Sequence, residues 1–245
     1  MTTVPYKVIL AYNGTDFAGF QRQQSARTVQ GEFESCLCKL GWRGHSIRGA
    51  GRTDAGVHAR AQVVSFELDW EHSLEDLRNA LNFYLPVDMA VKSVMEAAPE
   101  FHPRFDASAR HYRYSCYSQL VRDPLRELFA WRVWPPAAVD RMNTAAQNLV
   151  GVHDFTAFGS ATSEEGSTIR EVFSARWQAS GDEYQLDIIA NAFLYHMVRR
   201  IAFVLVKIGQ GEAPEDVIVS GLAGGSLDLT GLAPAAGLVL QEVIY

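Results

Sequence analysis

Hydrophobic and polar positions in the first half of the chain follow two different periods. The strand-like run from Tyr6 to Tyr12 ends in the turn Asn13-Gly14. Between Thr28 and Leu40, apolar residues recur at helical spacing, and Ser73-Leu74-Glu75-Asp76 resembles the capping box that begins a helix. Shorter strand patterns lie around Ile47, at 62–68 and at 89–94. The predicted order is strand-helix-strand-strand-helix-strand.

The second half repeats this order. Strand patterns cover 110–117 and 238–244, helical patterns cover 139–149 and 194–208, and a helix from Pro214 precedes a loop at 221–225. Two further strands, 171–179 and 183–190, flank Ser180-Gly181-Asp182 and predict a hairpin. The repetition predicts an α+β protein of two ferredoxin/RRM-like halves, 1–104 and 105–245. We expect these halves to share a mostly antiparallel sheet with helices packed on it, and the catalytic cleft to lie between them.

Composition indicates an ordinary globular enzyme, with 48% hydrophobic and 20% charged residues. The N-terminus lacks the pattern of a signal peptide, and the apolar run Ile201–Val206 is too short to cross a bilayer. Three cysteines form neither an even-numbered disulfide framework nor a paired zinc-ligand motif. These features predict a cytoplasmic protein without a membrane segment or a metal site.

Charge is distributed unevenly along the chain, although the net charge is −6. Residues 14–65 carry +3, residues 101–135 carry +3, and the remainder carries −12. Eighteen of the 22 basic residues are arginines, whose planar guanidinium suits phosphates and base faces. The two basic stretches fit a nucleic-acid partner, and they fit equally a set of solvated surface charges.

The segment from Gly51 to His58 holds the first candidate for chemistry, Asp54. Small neighbours leave room for a substrate to approach a short carboxylate on a loop. Arg52, two positions earlier, is placed to point into the same groove. An isolated Asp-Ala-Gly also fits a turn or helix-cap aspartate, so the local sequence leaves both interpretations open.

Two further candidates lie in the second half. Arg199 falls on a flank of the predicted helix 194–208 among apolar residues, where it needs a carboxylate partner such as Asp54 or must extend to solvent. Arg200 shares a stripe with His196 and Lys207 and is expected to face water or RNA. Tyr112 shares one strand face with Arg110 and Tyr114, an arrangement that suits either base stacking or a half-buried core.

The ordered motifs resemble the TruA family of tRNA pseudouridine synthases. The resemblance runs from Tyr6 to Tyr245, and its most specific segment is Gly-Arg-Thr-Asp-Ala-Gly-Val-His-Ala at 51–59. Residues 12–21, 28–31, 101–107, 151–158 and 191–199 match the family in the same order.

The resemblance implies isomerisation of uridine to pseudouridine at positions 38–40, on the 3′ side of the tRNA anticodon stem-loop. It implies that Asp54 is the essential catalytic residue and that Arg52 helps to extrude the target nucleotide. Tyr112 would stack on the base, and Arg199 would pair with the catalytic carboxylate. It further implies a homodimer that binds tRNA across both subunits and uses no cofactor.

Two other functions are compatible with parts of this pattern. A non-catalytic RNA-binding protein on the same scaffold would bind tRNA with similar salt dependence. A carboxylate-dependent nucleoside hydrolase would need a second acid near Asp54, and none lies close in sequence.

Overall fold

The computed structural model describes residues 3–161 and 166–245, and the chain divides into two compact units. The first unit comprises Met1–Ser108 with Leu240–Tyr245, and the second comprises Ala109–Val239. In both, helices pack on sheets of mostly antiparallel strands. The predicted α+β class is confirmed.

The first unit has the predicted order of two helices and four strands. In chain order its elements are β1 (Val4–Tyr12), α1 (Val29–Lys39), β2 (Arg48–Gly49), β3 (His58–Leu68), α2 (Leu74–Tyr84) and β4 (Met89–Glu96). β1 lies between β4 and β3 and pairs antiparallel with both. The β1/β3 register shifts between the pairs Leu10/Gln62 and Tyr12/Ala59, because β3 has one extra residue there. This bulge lies directly after the loop that holds Asp54.

The second unit contains the predicted hairpin and two short strands that the sequence pattern did not show. Its elements are β5 (Ala109–Tyr117), β6 (Trp131–Arg132), α3 (Val139–Gln147), β7 (Gly151–Asp154), β8 (Ile169–Ser180), β9 (Glu183–Ala190), α4 (Met197–Gly209) and α5 (Val217–Leu222). A closing strand, β10 (Leu238–Ile244), begins in this unit and ends in the first. The sheet order here is β5-β9-β8-β7, and β6 runs parallel to β5.

The long helix of the second unit begins later than its apolar pattern predicts. Leu194 is buried as expected but precedes the helix, because His196 adopts a left-handed backbone with φ 66. From Met197, α4 runs for 13 residues. Within the two described ranges of the chain, no helix is both long and apolar enough to cross a membrane.

The helix expected from Pro214 is α5, which begins three residues later, at Val217. Gly221, predicted to open a loop, is instead inside this helix and buried. A side chain there would lie 2.5 Å from Leu227 and 3.2 Å from Phe158, so packing against both explains the glycine.

The capping box at the start of α2 is confirmed. The Ser73 hydroxyl accepts a hydrogen bond from the Asp76 backbone N–H at 3.1 Å, and the Asp76 carboxylate accepts one from the Ser73 N–H at 3.2 Å. Both bonds satisfy donors that the first helical turn leaves without an internal partner.

Replacing Ser73 with alanine removes this cap. We expect Ser73→Ala to lower the free energy of unfolding by about 1 kcal/mol, measured by urea titration, with catalytic rate unchanged. Ser73→Thr keeps the acceptor and serves as the control. An unchanged unfolding midpoint for Ser73→Ala would show that the cap contributes nothing measurable.

Candidate active site

Asp54 lies in the loop between β2 and β3, at the start of a tight turn. Its side chain is half-buried, while Arg52 and Ala55 are exposed. The Val57 N–H donates to the Asp54 carbonyl at 3.2 Å, and Gly56 has φ 78. A positive φ at the third turn position favours glycine. The predicted turn therefore exists, and it presents Asp54 at its first residue.

The segment between β1 and α1 is hydrogen-bonded to the main chain of this loop. The Phe20 N–H donates to the Thr53 carbonyl at 3.0 Å, and the Gly56 N–H donates to the Phe17 carbonyl at 3.2 Å. Gly19, with φ 96, lies so close that a Cβ there would be 3.0 Å from the Thr53 oxygen. The motifs at 12–21 and 51–59 are therefore two parts of one hydrogen-bonded structure.

Two buried side chains bind the residues just before Asp54. The Tyr12 hydroxyl and Thr53 Oγ1 are 2.8 Å apart, and Gln62 Nε2 donates to the Gly51 carbonyl at 3.0 Å. Burial raises the pKa of Tyr12 to about 12, although hydrogen bonds with Thr53 and Gln62 oppose this shift. The phenol is consequently neutral at physiological pH.

Arg27 anchors the supporting segment to the rest of the first unit. Its guanidinium lies 4.2 Å from the Phe17 ring and donates to both carboxylate oxygens of Asp88, at 2.7 and 2.9 Å. A further bond of 3.0 Å reaches Glu32. The Arg27 hydrogen bond holds the pKa of Asp88 below its usual value. Arg27 thus holds the segment between β1 and α1 in place, because it stacks on Phe17 and forms ion pairs with Asp88 and Glu32.

Arg52 extends from the same loop towards solvent. In residues 3–161 and 166–245, it makes no hydrogen bond or ion pair. Its guanidinium therefore keeps all its donors available for a ligand such as a phosphate.

Tyr112 lies on β5 of the second unit and is only 9% exposed. Its ring meets the Phe193 ring edge-on, with centroids 5.1 Å apart. Tyr114, two residues further, is fully buried, and its hydroxyl donates to the Pro234 carbonyl at 2.8 Å. Both tyrosines thus have the burial expected of core residues, and Tyr112 also neighbours a second aromatic ring.

The opposite face of β5 holds a separate polar cluster. His111 Nε2 lies 2.6 Å from Asp187 Oδ1, and Arg113 donates to both oxygens of the same carboxylate at 2.9 and 3.1 Å. The predicted division of this strand into two faces is confirmed.

Arg199 is half-buried near the start of α4. Its Nε donates to the Ala233 carbonyl at 2.9 Å. The helical spacing places Arg199 on one flank with Tyr195, Ala202 and Val206. Ala202 and Val206 are buried, whereas Tyr195 is 50% exposed and precedes the helix.

The expectation that Arg200 faces water or RNA is wrong. Its guanidinium donates to the carbonyls of Leu229 and Gly231, and burial lowers its pKa. The segment that contains both residues packs against α4, where a Cβ on Gly231 would meet the Phe203 ring at 2.3 Å. Helical spacing alone could not show this covering segment, because its two carbonyls lie 29 and 31 residues after Arg200 in the chain.

The predicted site residues are distributed over both units. Arg52 and Asp54 share one loop of the first, while Tyr112 and Arg199 belong to the second. Among the residues that the structure describes, no group of three His, Cys, Asp or Glu side chains could hold a metal ion.

Comparison with known proteins decides the family. A family model described as tRNA pseudouridine synthase matches residues 8–106 and 145–245. The chain belongs to the tRNA pseudouridine synthase family. Its resemblance to the TruA branch is confirmed, and it is an isomerase of this type.

Curated relatives named tRNA pseudouridine synthase A match the chain over nearly its full length. The protein from Limosilactobacillus fermentum is 41% identical over 247 residues, covering 98% of this chain and 95% of the relative. Those from Geobacter sp. (strain M21) and Brevibacillus brevis are 39% and 40% identical, covering 98% of both chains in each pair.

The family model covers three of the four candidate site residues. Arg52 and Asp54 fall in the first matched range and Arg199 in the second, whereas Tyr112 falls between them. The sequence predicts no role for Tyr12, Gly14 or Gln62, although Tyr12 and Gly14 belong to the motif at 12–21. Their contacts with the Asp54 loop join positions up to 44 residues apart, which no local pattern reveals.

Proposed function

We propose that this family member converts uridine to pseudouridine at positions 38–40 of the tRNA anticodon stem-loop, with Asp54 as the catalytic carboxylate. The observation that carries the proposal is the supported Asp54 loop. Main-chain bonds from Phe20 and Gly56 and a side-chain bond from Gln62 fix this loop, while Asp54 stays partly accessible. A half-buried carboxylate on a fixed loop suits a reaction whose rate depends on how precisely the catalytic group is positioned against the substrate.

The reaction needs little beyond a placed carboxylate. The bond from ribose C1′ to uracil N1 breaks, the base rotates, and C1′ bonds to C5, while N1 gains a proton and C5 loses one. Atoms and electrons balance without an oxidant, a reductant or a cofactor. The Asp54 carboxylate would act either by attack on C1′ or by removal of the C2′ proton.

The target nucleotide must leave the stacked stem before it can react. We assign this step to Arg52, because its guanidinium is exposed two residues before Asp54 and makes no bond among the described residues. An arginine can occupy the vacated space and bind the flanking phosphates.

Tyr112 and Arg199 complete the proposed machinery. Tyr112 would stack on the extruded base, a role supported by its aromatic ring beside Phe193. Arg199 would pair with the Asp54 carboxylate, as the family resemblance implies, because its guanidinium is partly buried and a partly buried charge needs an opposite charge.

Replacing Arg199 tests the proposed pairing. We expect Arg199→Met to lower the single-turnover rate about 10- to 100-fold, since it removes a charge-assisted bond that orients the carboxylate. Arg199→Lys keeps the charge and should retain more activity. Thermal unfolding of both variants separates this effect from loss of the Ala233 bond. An unchanged rate in Arg199→Met would refute the pairing.

For the assembly, we propose a homodimer that binds one tRNA across both subunits in the cytoplasm. This assignment rests on the family membership. Sedimentation with and without tRNA tests the dimer.

Product analysis distinguishes this function from its alternatives. Unmodified tRNA transcript incubated with the protein should yield pseudouridine in the chain and no released base. Binding without any product would indicate a non-catalytic RNA-binding protein. Release of free uracil would indicate a hydrolase.

A further inference from the structure

A buried hydroxyl lies directly behind the catalytic loop and has no place in the chemistry described so far. Tyr12 ends β1 and is 4% exposed, and its ring packs edge-on against Phe17 at 6.3 Å between centroids. Its hydroxyl lies 2.8 Å from Thr53 Oγ1, across 41 residues of sequence. Thr53 is itself 7% exposed and immediately precedes Asp54.

The hydroxyl pair completes a set of bonds on the main chain that enters the catalytic turn. Thr53 is bound on its carbonyl by the Phe20 N–H at 3.0 Å and on its side chain by Tyr12 at 2.8 Å. Two residues earlier, the Gly51 carbonyl accepts from Gln62 at 3.0 Å. Because hydrogen bonds fix both the carbonyl and the side chain of Thr53, the next residue, Asp54, has little freedom to shift.

The state of the phenol suits this task. Burial raises the pKa of Tyr12 to about 12, so the group carries a proton and no charge at neutral pH. A neutral hydroxyl can exchange donor and acceptor roles with Thr53 without placing a second negative charge near Asp54.

We propose that Tyr12 is a positioning residue for catalysis, which holds Asp54 in its reactive place through the hydrogen bond to Thr53. The proposal rests on the proposed role of Asp54. It concerns the geometry of the carboxylate and not tRNA binding, since the Tyr12 hydroxyl is buried and points to Thr53.

The same strand provides a matched control. Tyr6 lies on the same face of β1, is 3% exposed, and packs on the Phe66 ring at 5.9 Å. Within the described residues, its hydroxyl makes no hydrogen bond. Tyr12→Phe and Tyr6→Phe therefore remove the same atom from the same buried strand face, and only Tyr12→Phe breaks the bond to Thr53.

The decisive experiment measures the single-turnover rate at saturating enzyme together with the tRNA dissociation constant. We expect Tyr12→Phe to lower the rate about tenfold, with the dissociation constant unchanged and Tyr6→Phe at the wild-type rate. Thr53→Val removes the partner oxygen and should show the same loss, whereas Thr53→Ser keeps the hydroxyl and should stay within about twofold of wild type. The double variant Tyr12→Phe/Thr53→Val should lose much less than the product of the two single losses, because each single variant already removes the bond between Tyr12 and Thr53.

Three results would overturn the proposal. One is a Tyr12→Phe rate equal to that of Tyr6→Phe; another is a rate loss matched by an equal weakening of tRNA binding. The third is a double variant whose loss is the product of the two single losses. Asp54→Asn measured in the same assay distinguishes failure of the catalytic role of Asp54 from failure of the positioning role of Tyr12. Turnover by Asp54→Asn refutes the role of Asp54, while an inactive Asp54→Asn beside a fully active Tyr12→Phe refutes only the positioning role.

Discussion

Asp54→Asn is expected to lower pseudouridine formation at least about 1,000-fold, because the amide has the size of the carboxylate but neither its charge nor its nucleophilicity. The fold should survive the change. The loop is fixed by main-chain bonds at Thr53, Gly56 and Val57, which do not use the Asp54 side chain. Release of tritium from C5 of labelled uridine in tRNA measures the loss, since C5 must give up its hydrogen in the reaction.

A matched control for this variant lies in the same unit. Asp69 follows β3, is exposed, and makes no hydrogen bond or ion pair among the described residues. Asp69→Asn therefore changes the charge equally and should keep full activity. The dissociation constant for tRNA should remain close to wild type in both variants. Substantial turnover by Asp54→Asn would remove Asp54 from the catalytic role.

Gly14→Ala is expected to have the second largest effect. A Cβ at this position would lie 2.0 Å from the Val57 carbonyl oxygen and 2.5 Å from its carbon. Contact of that kind with main chain forces the turn at 54–57 to move. The Gly14 N–H also donates to His58 Nδ1 at 3.0 Å, so the shift would extend to the first residue of β3.

Displacement of the turn should reduce the catalytic rate about 100-fold, because a shift near 1 Å in a catalytic group has effects of that size. The free energy of unfolding should fall by about 1–3 kcal/mol. Gly51→Ala is the stability control, since a Cβ there meets no atom within 4 Å and its unfolding midpoint should stay constant. A fully active Gly14→Ala variant would contradict the claim that catalysis depends on the position of the turn at 54–57.

Most secondary structure of the first unit could be predicted from local sequence. Strand β1 follows from a strand-like run that ends in the turn Asn13-Gly14, and helix α1 follows from helical spacing. The cap at Ser73 follows from four consecutive residues. Prediction was wrong where a single backbone angle decided the outcome. The left-handed His196 delays α4 by three residues against its apolar pattern. The two-residue strand β6 and the short strand β7 are too brief to show a period.

The sequence predicts which residues form the candidate site, but it does not predict the contacts that hold them in place. Asp54 and Arg52 were identified from one segment, because a specific motif contains both. The support from Tyr12 and Gln62 depends on pairing of β1 with β3, and the support from Phe20 comes from the segment between β1 and α1. Such contacts arise from tertiary structure, so spacing along the chain does not contain them. Arg200 shows the same limit, since a distant segment covers a face that its helix pattern marked as open.

The central claim is that this chain makes pseudouridine at positions 38–40 of tRNA through Asp54. Its most direct test is nucleotide-resolved mapping of pseudouridine in unmodified tRNA transcripts that carry uridine at 38, 39 or 40 and elsewhere. The account predicts conversion at those positions only, by the wild-type protein and by Asp69→Asn, and none by Asp54→Asn. Conversion at other positions, or equal conversion by Asp54→Asn, would contradict it.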